Sequence, residues 1–87
     1  MTAGYRLEIQ RSAEREIRAL GKEISTRVVA AVAELGKQPR GAGARKLVGA
    51  GGYRVRVGSY RILYTIDDVS RVVTVVAVGH RRDVYRR

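Results

Sequence analysis

Eighty-seven residues leave room for one thin-cored domain, so residues 1–87 are expected to form a single unit. The absence of cysteine excludes disulfides, thiolate nucleophiles and cysteine-held zinc, and a single histidine, His80, argues against a metal centre; no metal or other cofactor is expected. Eighteen Lys and Arg against eight Asp and Glu give a formal charge of +10, which points to an anionic partner.

The charge is uneven: residues 1–44 carry +3 and residues 45–87 carry +7. Nucleic acid is the first candidate partner and an acidic protein the second. An anionic membrane surface is a distant third, because no amphipathic segment is rich in bulky apolar residues. With 45% hydrophobic and 30% charged residues, the composition is globular and not disordered. The run "VVTVVAV", Val72 to Val78, is far too short to cross a bilayer, and the N-terminus has no signal-peptide pattern. A soluble cytoplasmic protein is the expectation.

In chain order, Tyr5, Leu7 and Ile9 alternate with Arg6, Glu8 and Gln10, the period of a strand with one buried face. "RSAEREIRALGK" follows, with Ser12 as N-cap, Glu14 and Glu16 in the first turn, an apolar face of Ala13, Ile17 and Leu20, and Gly21 as the stop. A longer helix is predicted over "KEISTRVVAAVAELGKQP", where Ile24, Val28, Ala31, Val32 and Leu35 recur at helical spacing and Gly36 with Pro39 supplies the end. The glycine-rich stretch 40–52, "RGAGARKLVGAGG", reads as a loop that carries Arg45 and Lys46 near the basic patch.

The remainder is strand-like. "YRVRV", Gly58-Ser59 and "YRILYTI" form a two-residue hairpin, and "DDVS" turns into the apolar run that ends at Gly79. The predicted order is β-α-α-β-β-β, an α+β fold with two helices on one face of a small, mainly antiparallel twisted sheet.

A two-residue loop pairs Val57 with Tyr60, which places Arg56 opposite Arg61 and Arg54 opposite Leu63. Tyr53, Val55, Val57, Tyr60, Ile62 and Tyr64 then occupy the face under the helices. A solvated sheet face is the simplest account of any one of these arginines. Directly opposed like charges are destabilising, however, and no acidic residue lies between Gly41 and Ile66 to offset them. Phosphate is the ligand that planar guanidinium forks suit. The C-terminal "VGHRRDVYRR" adds His80, Arg81, Arg82, Tyr85, Arg86 and Arg87 to the same patch.

With no cysteine, one histidine and few carboxylates, the inventory suits phosphodiester chemistry without metal. RNA brings its own 2′-hydroxyl nucleophile, so a protein need only align the backbone, stabilise charge and move protons. Arginine stays protonated, which leaves Tyr85 or His80 as the base.

The order of elements, the hairpin "YRVRVGSYRILY", the "KL" before a glycine-rich loop, the turn "DD", the valine-rich strand and the ending "VGHRRDVYRR" resemble the RelE/ParE toxin superfamily, its RelE branch in particular. The resemblance covers nearly the whole chain. It implies the toxin of a type II toxin–antitoxin system: an endoribonuclease that cleaves mRNA in the ribosomal A site, leaves a 2′,3′-cyclic phosphate and inhibits translation. The family's phosphate-binding and catalytic positions fall on Arg54, Arg56, Arg61, Arg81 and Tyr85.

Arg61 and Arg81 match the family in residue type, whereas the family's best-studied member carries lysine at the positions of Arg54 and Arg56. Base duty then passes to Tyr85, with His80 as second candidate. Arg45, Lys46, Arg82 and Arg86 are expected to contact RNA. The implied partners are mRNA, the ribosome and a RelB-like antitoxin with an acidic or amphipathic segment, through which the pair would reach operator DNA. Two alternatives stay open: a ParE-like toxin that poisons DNA gyrase without being a nuclease, and a non-catalytic basic nucleic-acid-binding domain.

Overall fold

The computed structural model describes residues 4–49 and 51–80. Strand β1 (Arg6–Ile9) leads into helices α1 (Arg11–Arg18) and α2 (Lys22–Lys37), followed by strands β2 (Arg45–Lys46), β3 (Tyr53–Val57), β4 (Tyr60–Asp67) and β5 (Val72–His80). The five strands form one sheet in the order β1-β5-β4-β3-β2; β1 runs parallel to β5 and every other pair is antiparallel. The predicted α+β order holds, with one addition. Arg45 and Lys46, read as loop, pair with Arg54 and Tyr53 as a two-residue edge strand.

Both helices lie on one face. Ala13 and Ile17 of α1, and Val28, Val32 and Leu35 of α2, pack against Val57, Ile62, Tyr64, Val73, Val75 and Val78. The α2 set recurs at four- and three-residue steps, one stripe of a helix of period 3.6. β5 is an interior strand, flanked by β1 and β4, and its Val73, Val75 and Val78 face the helices.

The helix ends differ from the sequence reading. α1 starts at Arg11 with Gln10 as N-cap, and Glu14 N–H donates to Gln10 O at 2.9 Å; Ser12 is already inside the helix and caps nothing. β1 ends at Ile9, so the chain turns directly into the helix before serine is reached. Gly21 is the N-cap of α2 and not the stop of α1, which closes at Ala19. Gly36 lies within α2 instead of ending it: a Cβ there would stand 3.2 Å from Tyr5 O and 3.3 Å from Leu7 Cγ. Its missing side chain admits β1 against α2, where Tyr5 N–H donates to Gly36 O at 2.7 Å.

Two polar ties hold the loops. Tyr64, fully buried beneath the helices, stacks on Tyr53 and donates its hydroxyl to Pro39 O at 2.6 Å. Burial raises the Tyr64 pKa above its ordinary value, so the hydroxyl stays a donor at neutral pH. Tyr64→Phe leaves the buried Pro39 carbonyl without that donor; a loss of about 1–3 kcal/mol in urea unfolding is expected.

The second tie gathers around Asp68. Its carboxylate accepts from Tyr5 Oη at 2.6 Å and from both terminal nitrogens of Arg40 at 3.1 and 2.9 Å, while Arg40 Nε donates to Tyr53 Oη at 3.2 Å. These bonds join the residue before β1, the segment after α2, β3 and the β4–β5 turn. The Arg40 hydrogen bonds, followed by that from Tyr5, lower the Asp68 pKa to about 2. A depressed carboxylate stabilises the fold above its unfolded pKa of about 3.9 and loses that contribution as pH falls through the folded value. Thermal midpoints should therefore drop from about pH 4 toward pH 2, and Asp68→Asn should flatten that limb while lowering the plateau above it.

Candidate nucleic-acid interface

The β3–β4 hairpin has the register that a two-residue loop requires. Val57 pairs with Tyr60, Arg56 with Arg61, Val55 with Ile62 and Arg54 with Leu63. Gly58 makes the turn at φ +60°, a conformation that costs glycine little. Val57 and Ile62 are buried under the helices. Strand alternation therefore sends Arg54, Arg56 and Arg61 to the opposite, open face of the sheet. Arg56 is exposed; Arg54 and Arg61 are half-buried, and the Arg61 Nε is shielded from solvent.

The neighbouring strand shapes the floor. β5 places Ala77 opposite Leu63 and Gly79 opposite Arg61, so the arginines look across a shallow surface of small and apolar groups. Ala77 is buried and Leu63 half-buried. Charges over such a surface are less screened than charges in bulk water, which strengthens their hold on an anion. The sequence pattern did not expose this floor, because it depends on which residues of β5 meet β4.

That register is set by an irregularity. Between Leu63 and Tyr64 the pairing on β5 jumps from Ala77 to Val75, leaving Val76 as the extra residue of a bulge. One added residue reverses which face the rest of the strand presents. His80 consequently pairs with Tyr60 on the helix side, where the two rings meet edge to face at 5.8 Å. The expectation that His80 joins the arginine patch is thus corrected: it borders the same end of the sheet from the other face. Arg27 of α2 also reaches that end, with its guanidinium 3.6 Å from where a Cβ on Gly58 would stand.

Glu16 was read as an acid complementing the first turn of α1. In the fold its Oε1 accepts the Val78 N–H of β5 at 2.8 Å, fastening α1 to the strand just before Gly79. Its sequence signal was indistinguishable from that of Glu14, since spacing cannot reveal a tertiary acceptor. Arg45 shares the register of Arg54, yet its guanidinium donates to Ala42 O at 3.1 Å and Ala44 O at 3.0 Å, bracing the loop. Lys46 is exposed opposite Tyr53. Arg81, Arg82, Tyr85 and Arg86, also predicted for the site, lie outside the described residues.

Residues 7–85 match the family model described as "ParE toxin of type II toxin-antitoxin system, parDE". The chain belongs to the RelE/ParE superfamily of type II toxin–antitoxin toxins. Toxin RelG of Mycobacterium tuberculosis is 37% identical over 87 residues, covering 95% of this chain and 98% of that protein. Among solved structures, the RelBE2 toxin–antitoxin complex of Mycobacterium tuberculosis aligns at TM-score 0.80 and 30% identity, over 90% of this toxin and 99% of its counterpart. The intact RelBE complex of Escherichia coli aligns at TM-score 0.76 and 31% identity, over 87% and 95% respectively. The helix-covered sheet of this toxin is therefore the RelE fold. The hairpin arginines stand on its open face.

Proposed function

We propose that this toxin is an endoribonuclease that cleaves mRNA on the ribosome by in-line attack of the 2′-hydroxyl, so inhibiting translation. The observation that carries the reading is the arrangement of Arg54, Arg56 and Arg61 on one open face, with Arg61 opposite Gly79. Three guanidiniums over an uncrowded floor can grip adjacent phosphates and stabilise the extra negative charge of the transition state. No carboxylate between Gly41 and Ile66 competes for them. The similarity to RelG and to the RelE structures supports the same reading.

Roles then divide by chemistry. Arg61, on the open face with its Nε shielded, stabilises the scissile phosphate; Arg56 and Arg54 clamp the flanking backbone. Arg81 is assigned to the same phosphate and Tyr85 to proton abstraction, both by resemblance to the family. Tyrosine has a pKa of about 10, so service as a base requires surrounding cations to lower it. His80, on the helix side with Tyr60, is better placed to steer the strand around the edge than to take the 2′-hydroxyl proton. Arg45, which shares the open face with Arg54, extends the phosphate contacts together with Arg82 and Arg86, assigned by resemblance to the family, whereas Lys46, paired with Tyr53, belongs to the helix side.

The antitoxin complexes formed by the RelE relatives support a cognate antitoxin here, with an acidic segment matched to the +10 charge. Through that partner the pair would reach operator DNA. The work of such a toxin places it in the cytoplasm, consistent with the absence, among the described residues, of a helix long and apolar enough to cross a membrane.

Inducible expression of the wild type and of Arg61→Ala, with mRNA 5′ ends mapped on ribosomes, tests the reading. New ends within translated codons that vanish with the variant are expected; intact mRNA under wild-type expression overturns it. The match to the ParE family model favours a second reading, inhibition of DNA gyrase without nuclease activity. Trapped gyrase–DNA cleavage complexes with intact mRNA would select it. A merely RNA-binding protein is excluded if Tyr85→Phe binds RNA normally and no longer cuts it.

A further inference from the structure

A further cation stands at the tip of the β3–β4 hairpin, on the face away from Arg54, Arg56 and Arg61. Arg27 projects from the first half of α2, and its two terminal nitrogens lie 3.6 and 3.9 Å from where a Cβ on Gly58 would stand. The residue is exposed, and among the described residues no hydrogen bond or ion pair engages its guanidinium. Glu23, four residues earlier and the natural helical partner, forms no ion pair with it.

The turn beneath Arg27 is bare. Gly58 has no side chain and holds φ +60°, and both Gly58 and Ser59 are exposed, so a ligand can come close to the backbone there. Beside the turn on the helix side, Tyr60 and His80 meet edge to face at 5.8 Å, with His80 exposed. On the open side, Arg56 and Arg61 face each other across the strands, next to the loop-closing pair Val57–Tyr60. Cations therefore flank the tip from both faces of the sheet, and an aromatic pair adjoins it on one.

The other recess on the helix side disfavours anions. Beneath the C-terminal half of α2, an apolar hollow of about 410 Å³ carries Glu34 in its lining and no basic residue. A phosphate on this face is directed to Arg27 instead.

We infer that the Gly58–Ser59 tip is a second phosphate site for single-stranded RNA, where Arg27 binds the backbone just beyond the nucleotides held by the open-face arginines and His80 stacks on the adjoining base. An unpaired strand can make this passage, because its backbone bends freely and its bases offer a face to any aromatic ring. A duplex is too stiff to fold round a two-residue turn. The inference rests on the nuclease reading for its substrate, and it adds a subsite on the opposite face of the sheet. Arg27 stands apart from the scissile phosphate assigned to Arg61, so it acts in binding and not in the chemical step.

The probe is a series of single-stranded oligonucleotides of increasing length with 2′-O-methyl sugars, titrated into the intact toxin by NMR. The methyl group blocks the nucleophile, so binding is read without cleavage. His80 is the single histidine of the chain, and its ring protons report contact without ambiguity. Short oligomers that fill the open face should leave those signals in place; longer ones should shift them and bind more tightly. Arg27→Ala should abolish the gain from length and weaken the longest oligomer about two- to fivefold, the worth of an exposed ion pair. The slope of log affinity against log salt should fall by about 0.7, and Arg27→Lys should restore it. Arg15→Ala, which removes one exposed charge from α1, should leave the length dependence unchanged. With cleavable RNA, Arg27→Ala should raise the half-saturating concentration by the same factor and leave the saturated single-turnover rate intact.

A length dependence that survives Arg27→Ala, equal losses from Arg27→Ala and Arg15→Ala, His80 signals unmoved by the longest oligomer, or equal affinity for a duplex of the same length each overturns the inference. Binding and cutting are separate readouts. Toxin that binds in the expected pattern but cuts no RNA retains the subsite and loses the nuclease reading. Toxin that cuts RNA with no dependence on Arg27 does the reverse.

Discussion

Arg61→Ala is expected to slow RNA cleavage by roughly a hundred- to a thousand-fold, the cost of removing one well-placed donor from a developing oxyanion. The physical reason is position. Arg61 lies opposite Gly79 on β5, which adds no side chain of its own to that stretch of the open face. The shielded Nε restricts how the fork can turn, which lowers the entropy lost when the complex forms.

Arg61→Lys should recover only part of the loss, because an ammonium is a point charge and cannot hold two phosphate oxygens as a planar fork does. Arg56→Ala should cost less, since Arg56 is exposed and more freely hydrated. The measurement is single-turnover cleavage with saturating toxin, which separates chemistry from binding. A decrease confined to affinity, with the saturated rate intact, would show that Arg61 only binds. Removing Arg56 and Arg61 together should cost less than the product of the separate losses, because both act on the same charge.

The largest stability effect is expected from Ile62→Ala, at about 2–5 kcal/mol. Ile62 is fully buried in β4, where it pairs with Val55 on one side and Val78 on the other. Truncation therefore opens a cavity between the sheet and both helices, and neighbouring strands constrained by hydrogen bonds cannot collapse into it. For a chain of this length the melting temperature should fall by roughly 10 °C or more, read by thermal and urea unfolding. Val69→Ser provides the contrast: Val69 is 97% exposed in the β4–β5 turn, and a change within about 0.5 kcal/mol is expected. Similar losses at both positions would contradict the assignment of the core.

A stability loss in Ile62→Ala also bears on the site. Ile62 directly follows Arg61, so their side chains occupy opposite faces of one strand. Partial loosening of the core should move the arginines and reduce cleavage, whereas Arg61→Ala should reduce cleavage with the melting temperature nearly unchanged. The pair of variants thus separates a lost chemical group from a lost scaffold.

The hairpin was legible from the chain because its geometry is local. A Gly-Ser loop between two alternating runs settles which residue faces which, and every pair from Tyr53–Tyr64 to Val57–Tyr60 follows by counting. The buried stripe of α2, the central valine strand and the excess of positive charge are equally local, each expressed as a period or a composition. Together with the ordered short motifs they were enough to name the superfamily to which the chain belongs.

The face on which His80 stands was not legible, because a bulge near Val76 appears only when β5 pairs with β4, and one residue of slip inverts alternation. The acceptor role of Glu16, the close approach that requires Gly36 and the hollow under α2 each depend on segments distant in sequence meeting in space. The chain alone determined that three arginines share one hairpin face. Tertiary packing decided what faces them, glycine and alanine from β5 as a floor, and set an apolar hollow beneath α2 on the other face of the sheet. Turn and period are properties of neighbouring residues, whereas register across strands and the space beneath a helix are settled only when the whole core closes.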